Sequence, residues 1–519
     1  MAHEHKAVMG PRSMARMSRR GRQRRTRGAR DQPAWRPPVN PFAPMEAVSR
    51  DEIAFIQDRS LAVLEEIGIE FLHERARAVF HDAGADVDRG TSRVRLPRQL
   101  VAHAMASAPR TFKLHARNPQ RSLTIGGNRI AFTPVASPPF AHDLERGRRE
   151  GNFRDFSDFL RLAQGLNCLH FFGGYPVEPT DLPPATRHLD CLAAFVTLTD
   201  RAWHAYSLGA ERIDDALSII CIARNLSRQE LKEEPSIVTV VNANSPLRFD
   251  TPMLDGMLTM AEHNQPVIVT PFTLPGAMAP ASVAGAVTQQ NAEALAGMTL
   301  VQLVNPGAPV VYGGFTSNVD MKTGAPAFGT PEYARATMIG GQLARLNGVP
   351  YRSSNANAST SVDAQAAYES QISLWSAVMS HANIVLHGAG WLEGGLVASF
   401  EKMVIDADTI EMICQVLEPV EVTDEEIGMT AMAEVGPGGH FFGAGHTLER
   451  YETAFHEPMV SDWRSFESWN DAGGIDATGR ASVLARTLID SWEAPALCTD
   501  IAAELDDFVT RRKAEILRG

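Results

Sequence analysis

The chain has 519 residues, 44% of them hydrophobic, enough for a large core and for about two to three domains or one barrel with extensions. It has no window of about 18 uninterrupted apolar residues, which excludes an α-helical membrane span. Its five scattered cysteines form no C-x-x-C pair, which argues against a disulfide framework or thiolate zinc and for reduced thiols in a cytoplasmic protein.

The net charge of −12 is unevenly placed. Residues 1–30 carry nine arginines and Lys6 against Glu4, about +9, which leaves about −21 on the remainder. SRRGRQRRTRGAR has no apolar run after it and so is not a secretory signal. Without interleaved aromatics, on an acidic body, it reads as a solvated tail and not as a nucleic-acid arm. QPAWRPPVNPFAP follows as an extended arm or linker, and residues 1–45 together are expected to be a disordered basic, proline-rich tail. SRDEIAFIQDRSLAVLEEIGIEF (49–71) has a helical period marked by Ile53, Ile56, Leu61, Leu64 and Ile67. ERARAVFHDAGA and LPRQLVAHAMASAP extend it into an N-terminal helical layer over 46–122. LTIGGNRIAFTP (123–134) reads as a hairpin turning at Gly126, Gly127 and Asn128.

Eight short apolar runs then alternate with helical patterns: IAFTP (130–134), CLHFFGGY (168–175), AWHAYS (202–207), SIVTVVNANS (236–245), PVIVTPF (266–272), PVVYGGF (309–315), PYRSSN (350–355) and NIVLHGAGW (383–391). Alternating βα units require a parallel sheet with its helices outside. No G-x-G-x-x-G follows the first strand and no Walker motif is present. The expected class is therefore α/β: a (β/α)8 TIM barrel over 123–419, with the N-terminal helical layer and a C-terminal helical extension over 420–519.

In such barrels the chemistry lies at the C-terminal ends of the strands. Those ends supply Tyr175, Tyr206, Tyr312, Phe315 and Trp391. They offer no lysine for a Schiff base and no carboxylate cluster for a divalent ion. Ring faces attract a cation that lacks an N–H to donate, by about 0.5–2 kcal/mol each; the competing reading of each ring is core packing. Glu393 and Asp363 are the nearest acids, and Asp363 also fits an N-cap ahead of AQAAYES. If the ligand carries a carboxylate it needs donors, and Arg352, Asn355, Gln365 and His387 lie near these ends. His440 and His446 lie six apart in a glycine-rich loop, not at the i, i+4 spacing of a helical zinc pair, so no metal is expected; that loop reads as mobile or partner-binding.

The segments VDAQAAYE, ANIVLHGAGWLEGGLVASFEKMVID, GHFFGAGHTLERYETAF and DSWEAPALCTDIAAELDDFVTRRK, with EEIGIEF near the start, resemble the trimethylamine methyltransferase family over nearly the whole chain. The resemblance implies a TIM-barrel enzyme that moves a methyl group from an amine to the cobalt of a separate corrinoid protein. The corrinoid comes with that partner, and no cofactor is tightly bound here. In the archaeal trimethylamine enzymes, the segment matching SSNANASTSVDAQ carries pyrrolysine. Here it holds only small standard residues, and the missing position falls within Asn355–Ser359. A quaternary ammonium leaves as a neutral tertiary amine without covalent help and needs only orientation. The expected activity is therefore methyl transfer from glycine betaine or a related onium compound to Co(I), with no catalytic residue identified. A sulfonium such as dimethylsulfoniopropionate, a tertiary amine, and a non-catalytic onium-binding regulator are the alternatives. The expected partners are the small amine, the corrinoid protein and further copies of the chain, with no membrane or nucleic acid.

Overall fold

A computed structural model describes residues 32–88 and 90–518; the arginine-rich segment 1–30 lies outside them. Seven of the eight expected runs are parallel strands: β1 (Ala131–Pro134), β2 (Trp203–His204), β3 (Ile237–Val241), β4 (Val267–Val269), β5 (Val310–Gly313), β6 (Tyr351–Ser354) and β7 (Ile384–Ala389). Their order in the sheet is β1-β7-β6-β5-β4-β3-β2. The run 168–175 forms no regular strand: Leu169 N–H turns back to Leu166 O, and the chain after it makes isolated hydrogen bonds and not a ladder. It still touches both edges, through His170 N–H to Phe132 O on β1 (2.7 Å) and Phe172 N–H to Ala202 O ahead of β2 (3.0 Å).

Side chains alternate along the strands, and the two faces bury different clusters. Phe132, Trp203, Val267, Val310, Tyr312, Tyr351 and Val385 pack in the main core under the surrounding helices. The alternate positions Ala131, Val238, Ile268, Val311, Ile384 and Leu386 form a separate inner cluster. Phe112, Leu114, Leu123 and Ile125 join that inner cluster from a hairpin of Thr111–Leu114 and Leu123–Gly126. The hairpin expected over 123–134 is thus corrected. Leu123–Gly126 pairs backward in the chain, while Ala131–Pro134 is taken up by β7, where its alternation is buried on both sides.

The N-terminal layer begins with the helix Arg50–Ala62, opened by a Ser49/Glu52 capping box. It packs on the long helix Val283–Val304 through Ser60 Oγ to Thr288 O and Asn291 Nδ2 to Gln57 Oε1, both 2.9 Å. The described part of the tail is an arm pinned to the body. Trp35 Nε1 donates to Leu169 O, Asn40 Nδ2 to Val378 O, Arg36 pairs with Glu418, and Asn40 is fully buried.

The C-terminal extension falls into two parts. The helices Ala477–Asp490 and Thr499–Ile516 pack on the body, for instance through Arg512 Nε to Asp215 Oδ1 at 2.7 Å. Residues 420–457 contain only short helices and keep most of their side chains in solvent. No helix among the described residues is long and apolar enough to cross a membrane.

Candidate functional site

Arg352 is the second residue of β6. Tyr351 before it turns outward and donates its hydroxyl to Thr337 O on the helix Pro331–Leu346 (2.9 Å), so alternation sends Arg352 inward. It is 3% exposed, and among the described residues its side chain makes one hydrogen bond, a long 3.5 Å contact from Nη1 to Gly314 O, with Nε unpartnered. Among the described residues no carboxylate pairs with it. Burial lowers its pKa to about 10.

Other polar atoms on the inner face of the sheet are also unpartnered. Thr270 follows β4 on the inner face, and Thr270 Oγ1, Ser354 Oγ, Asn355 Oδ1 and His204 Nδ1 are all buried without a hydrogen bond. His204 Nε2 accepts from Val240 N–H (3.0 Å), which leaves the proton on the orphaned Nδ1; burial pushes its pKa down to about 3. A Cβ on Gly313 would come within 2.0 Å of Thr270 Oγ1, so this close approach requires glycine. Each unmet buried polar group costs about 1–3 kcal/mol. An unpaired guanidinium, with the His204 N–H and the Thr270 and Ser354 hydroxyls as further unmet donors on the same face, is what a carboxylate would satisfy, while Asn355 Oδ1 remains an acceptor.

Aromatic rings stand beside Arg352. Its guanidinium carbon lies 5.2 Å from the Phe315 ring centroid. Phe315 is 5.3 Å from Phe272, 5.5 Å from Phe328 and 6.1 Å from Trp391, and Phe328 is 6.2 Å from Trp391. His387 sits 4.4 Å from Trp391. Its Nδ1 accepts from Ala136 N–H (3.2 Å), so Nε2 carries the proton. Burial, with Arg352 and His204 nearby, holds it well below the usual imidazole range, so the ring is neutral. A wall of ring faces beside a buried cation suits a zwitterion, with its onium head on the rings and its anion toward the arginine.

The small-residue run after β6 is what fixes Trp391. Asn357 and Trp391 bond reciprocally, Nδ2 to O at 2.7 Å and Nε1 to O at 3.0 Å. Glu369 Oε2 accepts from the N–H groups of Ala358 (2.8 Å) and Ser359 (3.0 Å), and Ser373 Oγ donates to Ala356 O (2.8 Å). Below, the buried pair Lys402–Asp406 ties Ser370 Oγ to Gly390 N–H. The side chains of 353–359 are small because the loop is threaded between a helix and the Trp391 ring, which also lies against Gly395.

The structure brings together Phe315, Arg352, Asn355, His387 and Trp391. Tyr175 and Tyr206 lie at the neighbouring rim, 4.6 Å apart, with Tyr206 Oη bound to Ser137 Oγ at 2.7 Å. They border a cavity of about 170 Å³ facing the helices Arg187–Leu198 and Ala210–Arg224. Three expected residues fall elsewhere. Tyr312 faces outward with its hydroxyl on Gln290 Nε2 (3.2 Å), because β5 alternates so that Val311 points in. Gln365 is exposed and spends its amide on Glu369 (2.8 Å). Glu393 is held by Arg148 through both oxygens at 3.1 Å, so its charge is already balanced. Asp363 is the N-cap, accepting from Ala366 N–H at 3.0 Å. His204 and Phe328 escaped the sequence reading. Period two through AWHAYS, which puts Ala202 and His204 on one face, could have found the first. Phe328 comes from a loop without local pattern.

A family profile described as trimethylamine methyltransferase (MTTB) matches residues 15–517. The glycine betaine methyltransferase of Desulfitobacterium hafniense strain Y51 is 35% identical over 470 residues, covering 90% of this chain and 97% of that one. A trimethylamine methyltransferase of the same species is 27% identical, covering 90% and 94%. One from Methanosarcina mazei is 28% identical, covering 83% and 88%. Among solved structures, the monomethylamine methyltransferase of Methanosarcina barkeri aligns with a TM-score of 0.46 at 10% identity, covering 86% and 93%.

Proposed function

The chain belongs to the trimethylamine methyltransferase family and is a methyltransferase, and from that premise we propose that its methyl donor is a quaternary ammonium carboxylate of the glycine betaine type. The acceptor in this reading is the Co(I) centre of a separate corrinoid protein. The run 168–175 would serve as the eighth stave that closes the sheet into a (β/α)8 barrel. The observation that carries the reading is Arg352, buried and without an acidic partner among the described residues, beside the rings of Phe315 and Trp391.

The donor's carboxylate pairs with Arg352 and meets the orphaned donors of His204 and Thr270. Its trimethylammonium head rests on Phe315, Phe328 and Trp391, which aims one methyl at the open end of the barrel. The methyl carbon accepts the electron pair of Co(I) as the C–N bond breaks, and that bond's pair stays on nitrogen. The product is neutral at nitrogen, so no proton moves and no general base is needed. This agrees with a site whose histidines are held neutral. Trimethylamine has no carboxylate for Arg352, and the loop that carries pyrrolysine in its archaeal enzymes here holds Asn355–Ser359. The relative at 35% identity bears the glycine betaine name.

The test is incubation of the protein with photoreduced cobalamin and glycine betaine, followed by absorbance and by mass spectrometry of the amine. Methylcobalamin and dimethylglycine in equal amounts are expected. Equal turnover of choline, which has no carboxylate, would remove Arg352 from the account.

A further inference from the structure

Residues 420–457 leave the body after Glu418 as a strongly acidic arm. They hold eight carboxylates against the single Arg450. That arginine is taken by Glu425 at 2.7 Å, Glu426 at 3.3 Å and Glu449 at 3.5 Å. No salt bridge to Glu421, Asp424, Glu434 or Glu457 occurs among the described residues. Between these acids the arm presents apolar side chains to solvent: Phe455 is 89% exposed, Val420 87% and Phe442 84%. A surface that is both acidic and aromatic is matched by guanidinium groups, which pair with carboxylates in a bidentate fork and stack on ring faces.

The same chain carries such groups at its other end. Nine arginines lie within residues 1–30, and the described chain begins at the foot of this arm. Gln32 is bonded to Gly165 O at 2.7 Å, and Arg36 pairs with Glu418, two residues before the arm begins. At about 3.3 Å per residue, a dozen residues upstream of Gln32 reach about 40 Å, enough to run along the arm. We propose that the arginine-rich segment 1–30 docks on the acidic, aromatic face of 420–457 of its own chain, as a strap that covers the arm. The charge block then has its partner within the molecule. This inference is independent of the methyl donor.

Amide exchange of the full chain is compared with that of a variant in which Arg19, Arg20, Arg22, Arg24 and Arg25 are all replaced by serine. Exchange over 424–457 should accelerate about tenfold, as expected for losing several exposed ion pairs and stacks, while the helix Val283–Val304 keeps its rate. High salt should produce the same acceleration in the unaltered chain. As a second readout, Glu421→Gln, Glu434→Gln and Glu457→Gln together should make the tail arginines more readily cleaved by trypsin. An arm whose exchange ignores the arginines overturns the proposal. So does protection that depends on protein concentration instead, which would mean a second copy covers the arm. Salt-sensitive capture of DNA by the tail with no change in the arm would also overturn it.

Discussion

The two ends of the sheet are built on opposite principles. At the foot, the hairpin Thr111–Leu114 and Leu123–Gly126 fills the interior with Phe112, Leu114, Leu123 and Ile125. His170 there is bonded through both ring nitrogens, to Phe132 N–H and to Arg36 O, each at 3.0 Å. At the mouth, Arg352, Thr270, Ser354, Asn355 and His204 each keep at least one buried polar atom without a partner. The foot is not free of unmet groups, since Arg117 Nε, Gln164 Oε1 and Arg201 Nε are also buried without a partner. Arg201, however, still donates to Ala163 O and Gln164 O at 2.7 and 2.9 Å, whereas Arg352 has only the 3.5 Å contact to Gly314 O, and in the proposed function the ligand meets that unpaired charge.

Substitutions at the two ends should separate function from stability, and the largest separation is expected at Arg352. Arg352→Met should lower kcat/KM for glycine betaine by about 100-fold, the cost of losing a buried charge-assisted contact. It should also raise the stability of the ligand-free protein by about 1–3 kcal/mol, because an unpaired buried charge is removed. At the foot the pattern inverts. Leu114→Ala should cost about 3 kcal/mol in denaturant unfolding and leave ligand affinity unchanged; a marked loss of affinity there would blur the division. Trp391→Ala should weaken a quaternary ammonium about tenfold more than its neutral isostere, read by titration calorimetry.

The smallest effect concerns pH. Burial pushes His170 and His204 down to about 3 from the ordinary 6.5. Between pH 6.5 and 3 the unfolded chain binds protons that the folded one refuses, so stability present above pH 6.5 drains away as pH falls through that window. A bound carboxylate beside His204 favours its protonation. The stabilisation by glycine betaine should therefore grow modestly from pH 7 to pH 5; a flat response would place the anion away from His204.

Much of this was legible in sequence because the strands are short, apolar and regularly spaced. Seven of the eight runs are strands, while CLHFFGGY begins in the Leu166–Leu169 turn and makes only isolated hydrogen bonds to its neighbours. The hairpin was misplaced because Leu123–Gly126 and Ala131–Pro134 look equally strand-like, and only tertiary pairing decides between them. Among the candidate residues, strand ends supplied Phe315, Arg352, Asn355, His387 and Trp391, which the structure brings together. Tyr312 was lost by one position of alternation, since a tyrosine packs as well under a helix as at a mouth. Glu393 could not be discounted without seeing Arg148, which lies 245 residues away in the chain.

The most direct test is the melting temperature of the protein and of its Arg352→Met variant, each alone and with saturating glycine betaine or choline. A ligand that binds only the folded state must raise the melting point. The account predicts that glycine betaine raises it in the unaltered protein far more than choline does. It also predicts a variant that melts higher on its own and no longer responds to glycine betaine. A variant that melts lower and still responds would show that Arg352 serves the fold and that the carboxylate lies elsewhere.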